Sequence, residues 1–93
     1  MTQQSALWYV GVNMPGFMPD ERPAGFADWL DARHCLEGEI ALDADIAFDQ
    51  SEDGKEKEAT ASYDAAIEAI QALDEGTEFG RTIGRFHYFL TRG

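Results

Sequence analysis

Acidic residues are concentrated in the middle of this chain and are not balanced by bases. Of its 93 residues, 18 are Asp or Glu and seven are Lys or Arg, so the net charge is −11. Residues 1–19 carry no charged side chain, whereas residues 20–58 hold thirteen acids and four bases. Charge of one sign at that density repels itself and destabilises a compact state. Something must therefore offset this repulsion, or the charge itself must be useful. Either this charge only keeps the protein soluble, or it serves a function.

The rest of the composition is that of a globular protein. The chain is 44% hydrophobic and includes six Phe, three Tyr and two Trp, which argues against global disorder. Its length is sufficient for one core only, so we expect a single domain over residues 1–93. A domain of this size buries about two-thirds of the surface of its unfolded chain, so its stability should be modest.

Several classes of function are disfavoured by these features. Direct binding to DNA, RNA or anionic lipid requires a basic surface, which this composition does not offer. No apolar run approaches the roughly 18 residues of a membrane span, and the N-terminus lacks the regions of a signal peptide. The single cysteine, Cys35, cannot form an intramolecular disulfide, which fits a reducing compartment. We expect a cytoplasmic protein without a cofactor.

The two ends of the chain are typical of β-structure. Residues 6–12 are rich in β-branched and aromatic side chains, and the Asn-Met-Pro-Gly run that follows indicates a turn. Residues 78–91 predict a β-hairpin that turns at Ile83-Gly84-Arg85. Strand alternation places Leu7, Tyr9, His87 and Phe89 on one face, and Trp8, Val10, Val12, Phe86, Tyr88 and Leu90 on the other.

The region between these ends predicts two helices. From about Ala24 to Phe48, apolar residues recur at the period of a helix, and residues 58–73 repeat the pattern. A polar connector over residues 49–57 separates the two helices, and Gly76 ends the second. The expected core residues are Trp29, Leu30, Ile40, Ile67, Ile70, Phe79 and Tyr88.

The element order β-α-α-β-β predicts an α+β fold, a three-stranded antiparallel sheet with two helices packed on one face. The sequence leaves open which hairpin strand pairs with the first strand. The face with Leu7, Tyr9, His87 and Phe89 would be free of helices. It either contacts a partner or a second copy, as in a homodimer, or is covered by the proline-rich loop over residues 15–23.

Motifs for catalysis or metal binding are weak in this sequence. It has no glycine-rich phosphate loop, no nucleophile elbow and no His-Glu-x-x-His pattern. A Cys35 nucleophile would need a distant base, of which His87 is the candidate. Residues 49–60 resemble a calcium loop at its first half, but Thr60 replaces the bidentate Glu. We expect neither an enzyme nor a metal site.

The first helix carries a row of carboxylates on its polar side, and no Lys or Arg occurs between Arg33 and Lys55. An ordinary solvated helix mixes bases among its acids. The row resembles a nucleic-acid strand in sign, linearity and reach. The candidate partner-binding residues are Asp28, Asp31, Glu39, Asp43, Asp45, Asp49, Glu52 and Asp53.

Three apolar residues interrupt the acidic side of this helix: Cys35, Leu42 and Ile46. One interpretation is an apolar contact patch ringed by carboxylates, as at the centre of a protein interface. The other is that Gly38 shifts the helical register, so that Leu42 and Ile46 face the core.

Two segments resemble the ends of small uncharacterised acidic proteins of phages and mobile elements. They are the run Tyr9–Pro19, and Gly76–Phe79 together with Phe86-x-Tyr88-Phe89-Leu90. In size and charge the chain is also similar to anti-CRISPR and related anti-defence proteins, several of which cover nucleic-acid-binding surfaces with carboxylates. This resemblance implies a phage protein that acts in the host-cell cytoplasm.

Residues and resemblance together predict a non-enzymatic inhibitor. It would be a DNA or RNA mimic whose acidic helix binds a basic nucleic-acid-binding surface of a bacterial defence complex, such as a CRISPR effector. The alternative is a phage or mobile-element accessory protein that engages in a protein-protein interaction through the aromatic sheet face, with its acidity serving solubility only.

Overall fold

The computed structural model describes residues 7–13 and 23–93 of the chain. These residues form an α+β fold with two helices and an antiparallel sheet, as predicted. The elements are β1 Trp8–Asn13, β2 Ala24–Phe26, α1 Trp29–Gln50, α2 Glu56–Gln71, β3 Phe79–Ile83 and β4 Phe86–Arg92. The predicted turn after β1 and most of the proline-rich loop lie outside the described residues.

The sheet has four strands in the order β2-β1-β4-β3, so the prediction of three strands in the order β-α-α-β-β is wrong. The central pair is β1 with β4, from Trp8 opposite Arg92 to Asn13 opposite His87. The extra strand, β2, has only three residues and pairs with the start of β1. The helical period predicted this Ala-Gly-Phe segment as the start of the first helix, and that prediction is wrong.

The first helix begins at Trp29 because Asp28 caps it. The Asp28 backbone is extended, and its carboxylate accepts a hydrogen bond from the Leu30 backbone N–H at 3.0 Å. Such a cap satisfies one of the free N–H groups of the first turn. Residues before Asp28 therefore lie outside the helix, although Ala24 and Phe26 fit its apolar period.

The predicted faces of the sheet are correct. Trp8, Val10, Ile83, Tyr88 and Leu90 are buried on the side covered by the helices. On the opposite side, the rings of Tyr9, His87 and Phe89 are half-buried. A Cβ added at Gly11 would lie 2.5 Å from Cζ of Phe89, so the aromatic ring occupies the space above this glycine.

The helices contribute a narrow part of their surface to the core. The buried residues of α1 are Trp29, Ala32, Leu36, Ile40 and Ala44, and those of α2 are Ala66 and Ile70. The indole N–H of Trp29 donates to the Thr77 carbonyl oxygen at 2.9 Å, which joins the start of α1 to the turn before β3. Leu30, which was predicted to be core, is 42% exposed.

No residue from 45 to 65 is buried. This segment comprises the last turns of α1, the connector and the first turns of α2, and we call it the helical arm. Ser51 ends α1, since its backbone N–H and its hydroxyl both donate to the Phe48 carbonyl oxygen. The core therefore includes only the first two-thirds of α1, and the side chains of the arm are exposed or partly buried, with Tyr63 packed against the edge of the core.

Replacing Ile40 with Ala should destabilise the protein by about 2–5 kcal/mol, because the side chain is fully buried between α1 and the sheet. Leu42→Ala on the exposed side of the same helix is the matched control and should change stability by less than about 0.5 kcal/mol. Urea unfolding followed by circular dichroism measures both. Equal midpoints for the two variants would show that α1 is rotated from this position.

Candidate functional site

The solvent-facing surface of α1 combines negative charge with exposure. A helix repeats every 3.6 residues, so one buried residue per turn leaves the opposite side in water. The outer face of α1, as we name it, consists of the exposed residues Asp31, His34, Gly38, Glu39, Leu42, Asp45, Ile46 and Asp49. It extends from the core into the helical arm.

Four of the predicted partner-binding acids lie on this face: Asp31, Glu39, Asp45 and Asp49. Two more, Glu52 and Asp53, are exposed in the connector that follows α1. Because α1 is an unbroken helix, it holds the carboxylates at fixed intervals along one direction. The structure therefore brings six of the eight predicted acids to one helix and the connector after it, with their side chains in solvent.

The other two predicted acids have partners inside the protein. Asp28 is the N-cap of α1, where its carboxylate bonds to the backbone. Asp43 is half-buried and accepts a hydrogen bond from the Tyr88 hydroxyl. A buried Tyr hydroxyl needs a hydrogen-bond partner. This need is the one feature of the sequence that indicates a polar partner for Tyr88. Asp43 therefore ties α1 to β4.

The Tyr88–Asp43 pair changes the acidity of the tyrosine. Burial raises the pKa of the Tyr88 phenol far above its usual range, and the hydrogen bond and the negative charge of Asp43 raise the pKa further. The neutral phenol is thus the form that the folded protein stabilises. Its ionisation would place two negative charges side by side beneath α1.

The outer face of α1 contains no Lys or Arg. The only Arg or Lys of this helix is Arg33, whose Nε lies 3.1 Å from Oε1 of Glu37. The Arg33 guanidinium also lies over the Trp29 ring, 5.7 Å from its centroid. His34 is exposed and has its Nδ1 3.8 Å from Oε2 of Glu37. The carboxylates of the outer face therefore have no Lys or Arg of α1 beside them.

The outer face also contains the apolar residues that the sequence left ambiguous. Leu42 is 59% exposed and Ile46 is 47% exposed, while Cys35 is half-buried against the core. The interpretation that Gly38 turns these two residues into the core is wrong. A Cβ at Gly38 would meet nothing within 4 Å, and the helix continues through it. An exposed apolar pair thus lies among the carboxylates.

The structure does not bring Cys35 together with His87, its candidate base. Cys35 lies on α1, whereas His87 lies on the sheet face away from the helices, where its Nδ1 is 2.9 Å from the Thr82 hydroxyl. Burial raises the pKa of the Cys35 thiol, and the nearby charge of Glu39 raises it further. The thiol is therefore protonated at neutral pH, which disfavours its use as a nucleophile.

The connector that resembles half of a calcium loop is held by its own hydrogen bonds. The Glu56 carboxylate accepts from the Gly54 backbone N–H, with both oxygens 3.0 Å from the nitrogen. Over residues 7–13 and 23–93, no three His, Cys, Asp or Glu side chains are grouped so that they could hold a metal ion. In the same ranges, no helix has the length and apolar character needed to cross a membrane.

Comparison of the chain with protein-family models, with curated proteins and with solved structures gave no match.

Removing the Asp43 carboxylate should destabilise the fold by about 1–3 kcal/mol, because it leaves the buried Tyr88 hydroxyl without an acceptor. Asp43→Ala tests this by urea unfolding, and Asp45→Ala, on an exposed acid of the same helix, is the control. Combining Asp43→Ala with Tyr88→Phe should recover part of the loss. An Asp43→Ala variant as stable as the control would contradict the pairing.

The same pair predicts alkaline unfolding. An unfolded Tyr ionises near pH 10, and the folded pKa of Tyr88 is higher, so the native state retains a proton that the unfolded state loses. The stability from this group is complete below about pH 10 and falls as pH rises above it. Absorbance at alkaline pH should show one phenol that ionises only with unfolding, and Tyr88→Phe should remove that step.

Proposed function

We propose that this protein is a non-enzymatic inhibitor that covers a basic, nucleic-acid-binding surface of another protein with the outer face of α1. The observation that carries the proposal is the row of exposed carboxylates at Asp31, Glu39, Asp45 and Asp49, with no Lys or Arg of α1 among them. An acidic surface of this kind complements a basic one and steers the encounter between the two proteins.

The dimensions of the row support a nucleic-acid-binding partner. Asp31 and Asp49 are 18 residues apart on one helix, so the row spans about 27 Å. The same length of one DNA strand carries about eight phosphates. A groove that binds a duplex or a guide–target hybrid is long enough to accept this helix. Glu52 and Asp53 extend the negative charge beyond its end.

CRISPR effectors are the first partners to test, since they bind nucleic acid in long basic channels and the chain has the size and charge of phage inhibitors. A panel of purified effectors with bound guide RNA is mixed with labelled target DNA, and DNA binding is followed by fluorescence anisotropy. We expect the protein to displace DNA from one member of the panel, and excess DNA to reverse the effect.

Charge reversal at Asp45 and Asp49 should weaken this inhibition by about a hundredfold or more, because it places two positive charges against a basic surface. Asp43 is left unchanged in the variant, since it bonds Tyr88. Asp64→Lys with Glu68→Lys is the matched control, as it reverses two exposed acids four residues apart on α2.

The control should inhibit within about threefold of wild type, because it makes the same change of net charge away from the proposed interface. Equal inhibition by wild type and the Asp45→Lys/Asp49→Lys variant would contradict the proposal. An equal loss of inhibition in this variant and in the Asp64→Lys/Glu68→Lys control would also contradict it, because the change of net charge alone would then explain the loss.

The sheet face opposite the helices supports a second candidate function, a protein interaction independent of charge. The strand residues that point to this face in the described ranges include Tyr9, Thr82, His87 and Phe89 and no Asp, Glu, Lys or Arg. Glu78 reaches its margin, where its carboxylate accepts from the Thr91 hydroxyl and the Arg92 backbone N–H. Two copies could meet there without apposing their acidic helices.

If this face joins two copies, sedimentation equilibrium at tens of micromolar should give a dimer, and Phe89→Gln should shift it to monomer. Phe48→Gln, on an exposed residue of α1, is the control and should leave the dimer unchanged. A monomer at this concentration would rule out the homodimer and leave the aromatic face to a foreign partner.

A further inference from the structure

The centre of the outer face of α1 is apolar. Leu42 and Ile46 are four residues apart, which makes them neighbours on the helix surface, about 6 Å apart along its axis. Among the large apolar side chains of the described ranges, Leu42 is the most exposed. A solvated helix does not require such a pair at the middle of its polar side, so this part of α1 is suited to contact with a second molecule.

Carboxylates border this apolar pair on both sides. Glu39 precedes Leu42 by three residues and Asp45 follows it by three, while Asp49 follows Ile46 by three. Residues three apart are adjacent on a helix surface. Gly38, four residues before Leu42, has no side chain, so the surface next to Leu42 is open. The result is an apolar centre with an acidic rim.

We propose that this face binds a protein surface in which an apolar patch is bordered by Lys or Arg side chains. The inference rests on the proposed function and names the chemistry of the partner more closely. Leu42 and Ile46 would be desolvated at the centre of the contact, where protein interfaces are most apolar, and Glu39, Asp45 and Asp49 would meet bases at its rim.

A second copy of this chain does not fit the same surface. Two outer faces placed together would oppose the carboxylates of Glu39, Asp45 and Asp49 to identical groups, and each copy carries a net charge of −11. Like charges across an interface disfavour association. Charge complementarity therefore selects a basic foreign protein as the occupant.

Two synthetic helical peptides test this inference. One has a Leu stripe flanked by Lys, and the other has Gln in place of each Leu, which keeps the charge and a high helix propensity. Calorimetry should show the Leu peptide binding at least about tenfold more tightly, and the difference should persist at about 0.5 M salt, where charge contacts are screened. Amide signals around Leu42 and Ile46 should shift on binding.

Variants separate the apolar contribution from the charged one. Leu42→Gln with Ile46→Gln should lower the affinity for the Leu peptide to that for the Gln peptide, and should leave the Gln peptide unaffected. Phe48→Gln, a substitution of an equally exposed apolar residue outside this patch, should change neither affinity. Asp45→Lys with Asp49→Lys should abolish binding of both peptides.

The outcomes distinguish this inference from the proposed function. If Leu42→Gln/Ile46→Gln retains the preference for the Leu peptide, the apolar centre is not the contact, and the charge-based function stands. If Asp45→Lys/Asp49→Lys binds both peptides as wild type does, the proposed function itself fails. A wild-type dimer that the Leu42→Gln/Ile46→Gln variant dissolves would make a second copy the occupant and overturn the inference.

Discussion

The position of α1 on the sheet determines most of what this protein presents to solvent. Its buried side consists of one residue per turn, and two of the five, Ala32 and Ala44, are small. Small residues allow close approach of a neighbouring element, while Trp29, Leu36 and Ile40 pack in one cluster with buried residues of the sheet. Because this buried stripe is narrow, most of the circumference of α1 lies outside the core.

Hydrogen bonds at two points fix the rotation of α1 about its own axis. The Trp29 indole donates to the Thr77 carbonyl oxygen at the start of the helix, and the Tyr88 hydroxyl donates to Asp43 about four turns later. Apolar packing alone tolerates small rotations, whereas hydrogen bonds to buried groups do not. The two contacts thus direct Leu42, Ile46 and the exposed acids outward, despite the hydrophobic surface that this leaves in water.

Much of this architecture could be predicted from local patterns. Alternation assigned the strand faces correctly, and the glycine at position 84, which has φ +62°, marked the hairpin turn. The three-residue strand β2 was missed because Ala-Gly-Phe has no strand signal and continues the helical period. The exposure of Leu42 could not be predicted because the helical period gives only the direction of each side chain around the helix axis. It does not say which of these directions is covered by a neighbouring element. The role of Asp43 was hidden for a related reason, since its partner is 45 residues away in sequence.

Charge and apolar surface on the outer face of α1 are best understood together. Four exposed carboxylates on α1 over about 27 Å give roughly half the charge density of a single DNA strand. Counterion release at that density is correspondingly smaller, so charge alone would bind a basic groove more weakly than nucleic acid does. In the proposed complex, contact through Leu42 and Ile46 would add attraction that salt does not screen, and it would be strongest with a partner that has a matching apolar surface. Such a combination would favour selectivity for one protein over general affinity for basic surfaces.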